Sequence, residues 1–507
     1  MPSRKKNLLR IAAVVIFVLG LGLLYLTNIG ILSFGRPYLY QFSGALPAID
    51  SVVAFVNVNV IPMDGERVLR NQTVLVRDGL IEKIGGGVEV PAEALRVDGT
   101  GRYLMPGLVD MHVHVMNEDD LLLFVANGVT TVRNMWGMTG ASLAFGFPDQ
   151  LALREAIRKG DLFGPTIYTT GPVMEGQPKN HPLMQAFITP AEAQTFVNWQ
   201  AGQGYDFIKV YDHLDAETYR AILGAARERG LPVVGHAPFA AGIEGVLSGG
   251  QATIEHLTGY IDADAVRFLI PEDQLAEYAA RTRAARVWNV PTLALYPKNG
   301  VSPTRLRELE HQHGMAYLSP SRKALNQFLY SQMTGGHTYA GGDYPERIAA
   351  LNLAMTRALH EAGAGLLLGT DALNPYHLPG YSAHEELGYL VQAGLSPYEA
   401  LQAGTHDAAL ALGKLNEFGT VTEGKRADLI LLQQNPLSDV SSVQTRVGVM
   451  LRGRWLAEDH LQSMLNALAE SFKPSLLERL WPLSLIAVAI YLIVWKVRPF
   501  SREERNA

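Results

Sequence analysis

The chain of 507 residues is longer than one average domain, although a single α/β barrel with added segments can fill most of that length. Charged residues make up 18% of it, the net charge is −6, and no basic patch with interleaved aromatic residues occurs, which argues against a nucleic-acid partner. The chain contains no cysteine, so disulfide bonds and thiolate chemistry are excluded.

Two apolar runs, one near each end of the chain, have the length and flanks of membrane-spanning helices. Residues 8–33 follow a basic cluster that includes Arg4, and residues 480–497 precede another that includes Arg502. Such runs approach or exceed the span of a hydrocarbon core of roughly 30 Å. We predict an N-terminal and a C-terminal transmembrane helix. The alternatives are an uncleaved signal anchor or a cleaved signal peptide for the first run, and a buried or interfacial helix for the second.

The basic residues beside both runs set the predicted orientation. Under the positive-inside rule both ends lie in the cytoplasm, so two crossings place the globular part outside it. We therefore predict a bacterial inner-membrane protein with both termini inside and the lipid bilayer as a partner. Residues 458–479, where Leu461, Leu465 and Leu468 recur at helical spacing, predict an amphipathic linker helix on the membrane or on a partner helix.

Segments with alternating apolar and polar residues flank the centre of the chain. Residues 51–105 contain short alternating runs and turn signals such as Asp78-Gly79, and residues 416–457 repeat this style. We expect the two β-rich segments to pair into one small β-sandwich.

Between these segments, residues 106–415 alternate short apolar runs with helical patterns, which is typical of repeated β/α units. Eight such units predict an α/β fold, a (β/α)8 or TIM barrel whose chemistry lies at the carboxyl ends of its strands. The predicted strands are 107–115, 130–135, 166–170, 206–211, 232–236, 253–256, 287–293 and 366–371.

Several of these strands end in residues that can carry chemistry. Side chains alternate along a strand, so His112 and His114 point to one face and can hold one metal ion. Lys209 lies among apolar residues, where an unpaired ammonium is costly. The full set of such groups is His112, His114, Lys209, His236, His256 and Asp371. Their joint occurrence at the active face of one barrel predicts a functional site.

Five motifs on these strands resemble those of a known family. They read PGLVDMHVH, DFIKVY, GHAP, IEHL and GTDA, and they are similar to the amidohydrolase superfamily, in the branch that holds imidazolonepropionase-like proteins and Xaa-Pro dipeptidases. The resemblance covers about residues 53–456. It implies a metal-dependent hydrolase that acts on carbon–nitrogen bonds and uses two divalent metal ions, usually zinc.

The resemblance also implies which residues hold the metal ions. The implied ligands are His112, His114 and Asp371 for the first ion, and His236 and His256 for the second. Lys209, carboxylated by CO2, would bridge the two ions. Carboxylation turns a buried cation into an anionic oxygen ligand, which suits zinc.

The implied reaction needs a proton carrier and a polar group beside the substrate carbonyl. Asp371 is expected to take the proton of the attacking water and pass it to the leaving amine. Tyr211 shares strand parity with Lys209 and would donate a hydrogen bond to the carbonyl or the developing oxyanion. The alternative for Tyr211 is a packed aromatic residue at the top of the barrel.

Three residues are candidate contacts for a small amide or dipeptide substrate. Arg133 would bind the carboxylate of an Xaa-Pro dipeptide or a similar N-acyl amide, with a structural salt bridge as the alternative. His181 and His377 lie on predicted loops at the active face, and the alternative for each is an ordinary loop histidine.

Other functions fit the pattern less well. A deaminase of this family typically uses one metal ion and a glutamate three residues after the fifth-strand histidine, where this chain has Phe239 while keeping Lys209. A lactonase or phosphotriesterase-type ester hydrolase would use the same binuclear site and is the main alternative. A non-catalytic, membrane-tethered binding protein would have lost a ligand, and all six positions are intact. A homo-oligomer is left open.

Overall fold

The computed structural model describes residues 51–137, 148–181, 184–187, 189–261, 272–298, 303–335, 344–372 and 374–473. The strands in these ranges are β1 (Val52–Val60), β2 (Leu69–Arg77), β3 (Leu80–Gly85), β4 (Leu95–Asp98), β5 (Tyr103–Pro106), β6 (Leu108–Val113), β7 (Val129–Asn134), β8 (Thr166–Thr169), β9 (Met174–Glu175), β10 (Gln185–Ala186), β11 (Ile208–Val210), β12 (Val233–Gly235), β13 (Thr253–Glu255), β14 (Trp288–Val290), β15 (Leu429–Leu432), β16 (Arg446–Leu451) and β17 (Arg454–Ala457).

The α-helices in the same ranges are α1 (Glu118–Ala126), α2 (Gln150–Lys159), α3 (Pro190–Gln203), α4 (Ala216–Glu228), α5 (Gly242–Gly249), α6 (Glu272–Ala285), α7 (Pro303–Glu310), α8 (Pro320–Gly335), α9 (Tyr344–Ala362), α10 (Tyr381–Gln392), α11 (Pro397–Ala403), α12 (His406–Ala411) and α13 (Glu458–Ser471). Short 3-10 helices cover Leu293–Lys298, His313–Tyr317 and Val440–Gln444.

The strands on either side of the barrel segment form one continuous eight-stranded sheet. Its order is β17-β16-β15-β5-β1-β2-β3, with β4 paired to β1. Strand β5, which precedes the barrel, runs antiparallel to β15, which follows it, with Leu104 opposite Leu431. Phe55 and Trp455 meet edge to face with ring centroids 5.1 Å apart. This sheet therefore joins the two ends of the described chain.

Parallel strands in sequence order form the barrel. Strands β6, β7 and β8 make one ladder, and β11, β12, β13 and β14 make another, with β9 and β10 at its edge. Isolated parallel bridges connect the two ladders to each other and to the extended segment 366–372. These bridges join Thr170 to Phe207, Asn289 to Leu366 and Ala372 to Val113. Eight extended segments thus form a closed ring whose carboxyl ends lie at one face.

The helices outside the ring begin and end where local sequence favours it. Thr189 and Ser396 each precede a helix that starts with proline, and each forms a reciprocal capping box with a glutamate three residues on. Gly160 and Gly204 end helices α2 and α3 in the left-handed conformation, which glycine adopts at little cost. These signals set the lengths of the helices between successive strands.

The apolar side of helix α13 packs on the barrel. Leu461, Leu465 and Leu468 are buried in one cluster with Leu122 and Val125 of α1. The predicted positions of this linker helix were on the membrane or on a partner helix, and within the described residues its apolar side lies against α1. The last part of the predicted helix, residues 474–479, lies outside the described residues.

The prediction of transmembrane helices is also corrected. Within the described part of the chain, none of the helices combines the length and apolar composition needed to cross a membrane. The two predicted spans, residues 8–33 and 480–497, lie outside the described residues. The predicted fold class is therefore corrected, because it included terminal membrane helices. The predicted inner-membrane location, with both termini in the cytoplasm, is also wrong.

Candidate metal centre

The carboxyl ends of the barrel strands bring predicted ligands together. His112 lies in β6, and His114 follows two residues later on the same side. Asp371 ends the eighth extended segment, and its Oδ1 lies 3.0 Å from His114 Nε2 and 3.5 Å from His112 Nε2. One donor atom from each of the three residues lies within 4.8 Å of the other two, which is compatible with a shared metal ion.

The other three predicted ligands border this group. His256 Nε2 lies 3.8 Å from Asp371 Oδ2, and Lys209 Nζ lies 3.4 Å from His112 Nε2. The ring of His236 lies beside that of His256, with centroids 5.1 Å apart. The structure therefore brings the six predicted residues into one cluster, while their roles as ligands stay a prediction.

Two residues of this cluster have a left-handed backbone conformation. The φ angles of His256 and Asp371 are 58° and 55°, which are uncommon for residues other than glycine. At His256 this conformation interrupts the alternation of the strand, so Glu255 and His256 both reach the cluster although they are neighbours. Such conformations persist only where surrounding contacts hold them, and they are concentrated at functional sites.

Each of three histidine rings is oriented by a hydrogen bond at Nδ1. The partners are Glu255 Oε2 for His112, Asp212 Oδ1 for His236 and Thr292 Oγ1 for His256, each at 2.7 Å. Such bonds fix the ring and leave Nε2 as the donor to a metal ion. Glu255 and Asp212 could have been noticed as carboxylates at the ends of apolar strands beside predicted ligands. Nothing in the local sequence marks Thr292.

Burial and charge set the protonation of the candidate ligands. Burial lowers the pKa of His112 and His114, and it lowers the pKa of His256 to about 3, so the three rings are neutral near pH 7. Burial opposes the charge of Asp371, but the neighbouring His256 and His114 hold the pKa of that carboxyl below its usual range. Neutral imidazole and anionic carboxylate are the forms that bind metal ions.

Buried polar atoms in the cluster indicate what it would bind. Among the described residues, His236 Nε2 is enclosed and forms no hydrogen bond, and the enclosed Asp371 Oδ1 has the His114 ring nitrogen at 3.0 Å as its neighbour. A buried polar atom nearly always has a partner, so His236 Nε2 needs an explanation. Imidazole nitrogen and carboxylate oxygen are donors that Zn²⁺ prefers. The residues present therefore fit a divalent metal ion.

Arg133 lies inside the barrel, and its guanidinium is buried. It is 1% exposed, its Nη2 lies 2.8 Å from Glu255 Oε1, and its Nε donates to the Met111 carbonyl at 2.7 Å. The predicted contact between Arg133 and a substrate carboxylate is therefore corrected. The structure shows the alternative, a buried structural salt bridge.

His377 is also enclosed. It is 1% exposed, and its two ring nitrogens lie 3.0 Å from the carbonyl oxygens of Pro375 and Ala294. Its ring therefore contacts backbone, and the predicted contact with substrate has no support in this geometry.

The two remaining candidates lie closer to the mouth of the barrel. His181 is exposed and meets Trp136 edge to face at 5.1 Å, and Trp136 in turn lies 6.2 Å from His114. The Tyr211 ring stacks on His236 with centroids 3.8 Å apart. Both positions are compatible with the predicted contacts to substrate, which stay predictions.

Comparison with a protein-family model identifies the class of protein that this fold and cluster define. The model of the amidohydrolase family matches residues 103–456. The chain belongs to the amidohydrolase family, and it is a hydrolase. The resemblance inferred from the strand motifs is confirmed.

Individual proteins are similar to this chain over most of its length. An ochratoxinase from Aspergillus niger is 25% identical over 447 aligned residues, covering 76% of this chain and 82% of the relative. An imidazolonepropionase from Deinococcus deserti is 26% identical over 382 residues, covering 74% and 88%. The solved structure of a presumed prolidase from Bifidobacterium longum is 26% identical, with a TM-score of 0.62, and covers 83% of this chain and 100% of that one.

Proposed function

We propose that this protein is a metal-dependent amidohydrolase that cleaves a carbon–nitrogen bond in a small amide or dipeptide-like substrate. The observation that carries the proposal is the cluster of four imidazoles, Asp371 and Lys209 at the carboxyl ends of five barrel segments, in which the enclosed His236 Nε2 forms no hydrogen bond with another described residue. Similarity to an imidazolonepropionase and to a presumed prolidase supports an amide or peptide-like substrate.

The proposed metal ligands follow from this cluster. His112, His114 and Asp371 would hold one divalent ion, most simply zinc, and His236 and His256 would hold a second. Lys209, carboxylated by CO2, would bridge them. Burial lowers the pKa of Lys209 to about 8, and this favours the neutral amine, whose nitrogen attacks CO2 and loses a proton to form the carboxylated side chain.

The chain's own residues would then bind the substrate and move protons. When bound, the divalent ions would supply an activated water and polarise the substrate carbonyl. The Asp371 carboxylate would accept a proton from that water and deliver it to the leaving nitrogen. Tyr211, stacked beside His236, would donate a hydrogen bond to the carbonyl oxygen as negative charge develops.

The proposed substrate is an Xaa-Pro dipeptide or a similar small N-acyl amide. Because Arg133 is enclosed by Glu255 inside the barrel, a substrate carboxylate would have to be bound by another group. His181, exposed beside Trp136 at the mouth, is the proposed substrate contact.

Metal content and hydrolysis together test this proposal. We expect about two zinc ions per chain in the parent and a clear loss in Lys209→Ala, with Lys83→Ala, an exposed lysine, as the matched control. Asp371→Asn should reduce kcat for amides by about 10²- to 10⁴-fold. One ion in both the parent and Lys209→Ala would favour a mononuclear, deaminase-like enzyme, and cleavage of esters without any cleavage of amides would contradict the proposed bond.

A further inference from the structure

Glu386 has a buried carboxyl group whose two oxygens both bind one loop. It lies in α10 and is fully buried. Its Oε1 accepts a hydrogen bond from the Leu293 N–H at 2.9 Å, and its Oε2 accepts one from the Ala294 N–H at 2.7 Å. These two amides begin the 3-10 helix that follows β14, the seventh barrel strand. Glu386 therefore holds the start of this loop at two points.

The same loop contacts a candidate metal ligand one residue earlier. The Thr292 hydroxyl donates its proton to the Pro291 carbonyl at 2.7 Å, so it accepts a hydrogen bond from His256 Nδ1 at 2.7 Å. A proton at Nδ1 leaves the lone pair of Nε2 toward Asp371. The Thr292 hydroxyl thus keeps the proton of His256 on Nδ1 and leaves the lone pair of Nε2 directed at the cluster.

The backbone at Thr292 needs support from outside the loop. Its φ angle is 50°, a left-handed conformation that is unfavourable for a β-branched residue. The two amides held by Glu386 belong to the next two residues. His377 adds a third contact through the Ala294 carbonyl at 3.0 Å. These contacts to Leu293 and Ala294 therefore stabilise the turn that holds the Thr292 hydroxyl beside His256.

We propose that Glu386 is a positioning residue that orients His256 toward the metal centre through Thr292. This inference rests on the proposed function, since it assigns His256 to metal binding. In this role Glu386 is not itself a metal ligand; it acts by fixing the loop that carries Thr292. A glutamine at this position would keep one acceptor but turn an amide NH2 toward a backbone N–H, so Glu386→Gln should have a smaller effect than Glu386→Ala.

Zinc affinity, measured without substrate, tests this role. We expect the Kd of the more weakly bound Zn²⁺ to be about 10- to 100-fold higher in Glu386→Ala than in the parent. The Kd for Glu386→Gln should lie between these two values. Leu390→Ala, a fully buried change in the same helix, is the matched control: it should lower Tm while leaving zinc affinity unchanged. If Glu386→Ala fails to fold, Glu386→Gln supplies the measurement.

A double variant distinguishes positioning from general support of the fold. If Glu386 acts through Thr292, Glu386→Gln combined with Thr292→Val should weaken zinc binding no more than the stronger single variant. Additive losses, or unchanged affinity with a lowered Tm, would overturn the proposed role. A parent protein that binds no zinc would overturn the proposed function, whereas normal binding by both parent and variants would refute the role of Glu386 alone.

Discussion

His112, Glu255 and Arg133 form a chain of contacts through the interior of the barrel. Glu255 accepts from His112 Nδ1 at one oxygen and from Arg133 at the other, and Thr253 donates to it as well. These side chains are almost completely buried. A buried ion pair is stable only when its two partners are well aligned, and removing one partner leaves the other charge buried and unpaired. Arg133 therefore supports a candidate metal ligand.

Arg133→Ala should destabilise the protein by about 3–5 kcal/mol, because it leaves the Glu255 carboxylate buried without its partner. Any residual activity should fall equally for substrates with and without a carboxylate. Chemical denaturation and kcat/KM for a matched pair of substrates measure both effects. Arg158→Ala, on the surface, is the control. A rise in KM confined to carboxylate-bearing substrates would restore the role of Arg133 in substrate binding.

Asp119 is an acidic residue whose environment opposes its charge. It is buried near the start of α1, and burial, together with Asp120 and Glu118, raises its pKa from 3.8 to about 7. Among the described residues its Oδ1 has no hydrogen-bond partner. A carboxyl group whose pKa is higher in the folded state than in the unfolded state destabilises the folded state when it ionises. The free energy of unfolding therefore falls as pH rises from about 4 to about 7.

Asp119→Asn should therefore raise Tm at pH 8 and have little effect at pH 4, where the parent carboxyl is protonated in the folded state. The measurement is Tm of both proteins across this pH range. Asp161→Asn, an exposed aspartate, should leave the pH profile unchanged. An equal change in Tm at both pH values would show that the Asp119 charge does not limit stability.

At the scale of elements, helix α13 belongs to the core of the molecule. Its apolar residues pack on α1, which itself begins just after the strand that carries His112. The helix therefore covers the outside of the first β/α unit of the barrel. An isolated amphipathic pattern does not say what covers the apolar face, because a membrane, a partner and a neighbouring helix all bury it equally well.

Leu465→Ala should destabilise the protein by about 2–5 kcal/mol, since it leaves a cavity between α13 and α1. Urea unfolding of the parent and the variant measures this change. Asn466→Ala, at the next position on the exposed side, is the control and should have little effect. Equal stability of Leu465→Ala and the parent would contradict the packing of α13 on the barrel.

At the scale of the whole molecule, the candidate ligands come from segments that meet only when the barrel is closed. His112 and Asp371 belong to the first and last of the eight segments, and the bridge between Val113 and Ala372 closes the ring beside them. A ligand that binds only the folded chain shifts the unfolding equilibrium toward the folded state. Metal binding and closure of the barrel are therefore expected to be coupled.

Removing metal with a chelator should lower Tm by a few degrees, and adding Zn²⁺ back should restore it, because a ligand at one hundred times its Kd stabilises the folded state by about 2.7 kcal/mol. Thermal unfolding of chelated and zinc-loaded protein measures this. Lys209→Ala should show a smaller difference between the two states. An unchanged Tm on adding Zn²⁺ to the parent would contradict metal binding by the closed barrel.

The features of this protein that could be predicted from its sequence are those set by residues close together in the chain. Alternation in a strand puts His112 and His114 on one side, and repeated β/α units place strand ends at one face, so the cluster of candidate ligands and the family could both be predicted. The partners of those ligands could not, because Glu255 meets Arg133 and Glu386 meets Leu293 only across the folded barrel. For the same reason only the tertiary structure decided what covers α13 and what Arg133 binds: burial and pairing depend on neighbours that are distant in the chain.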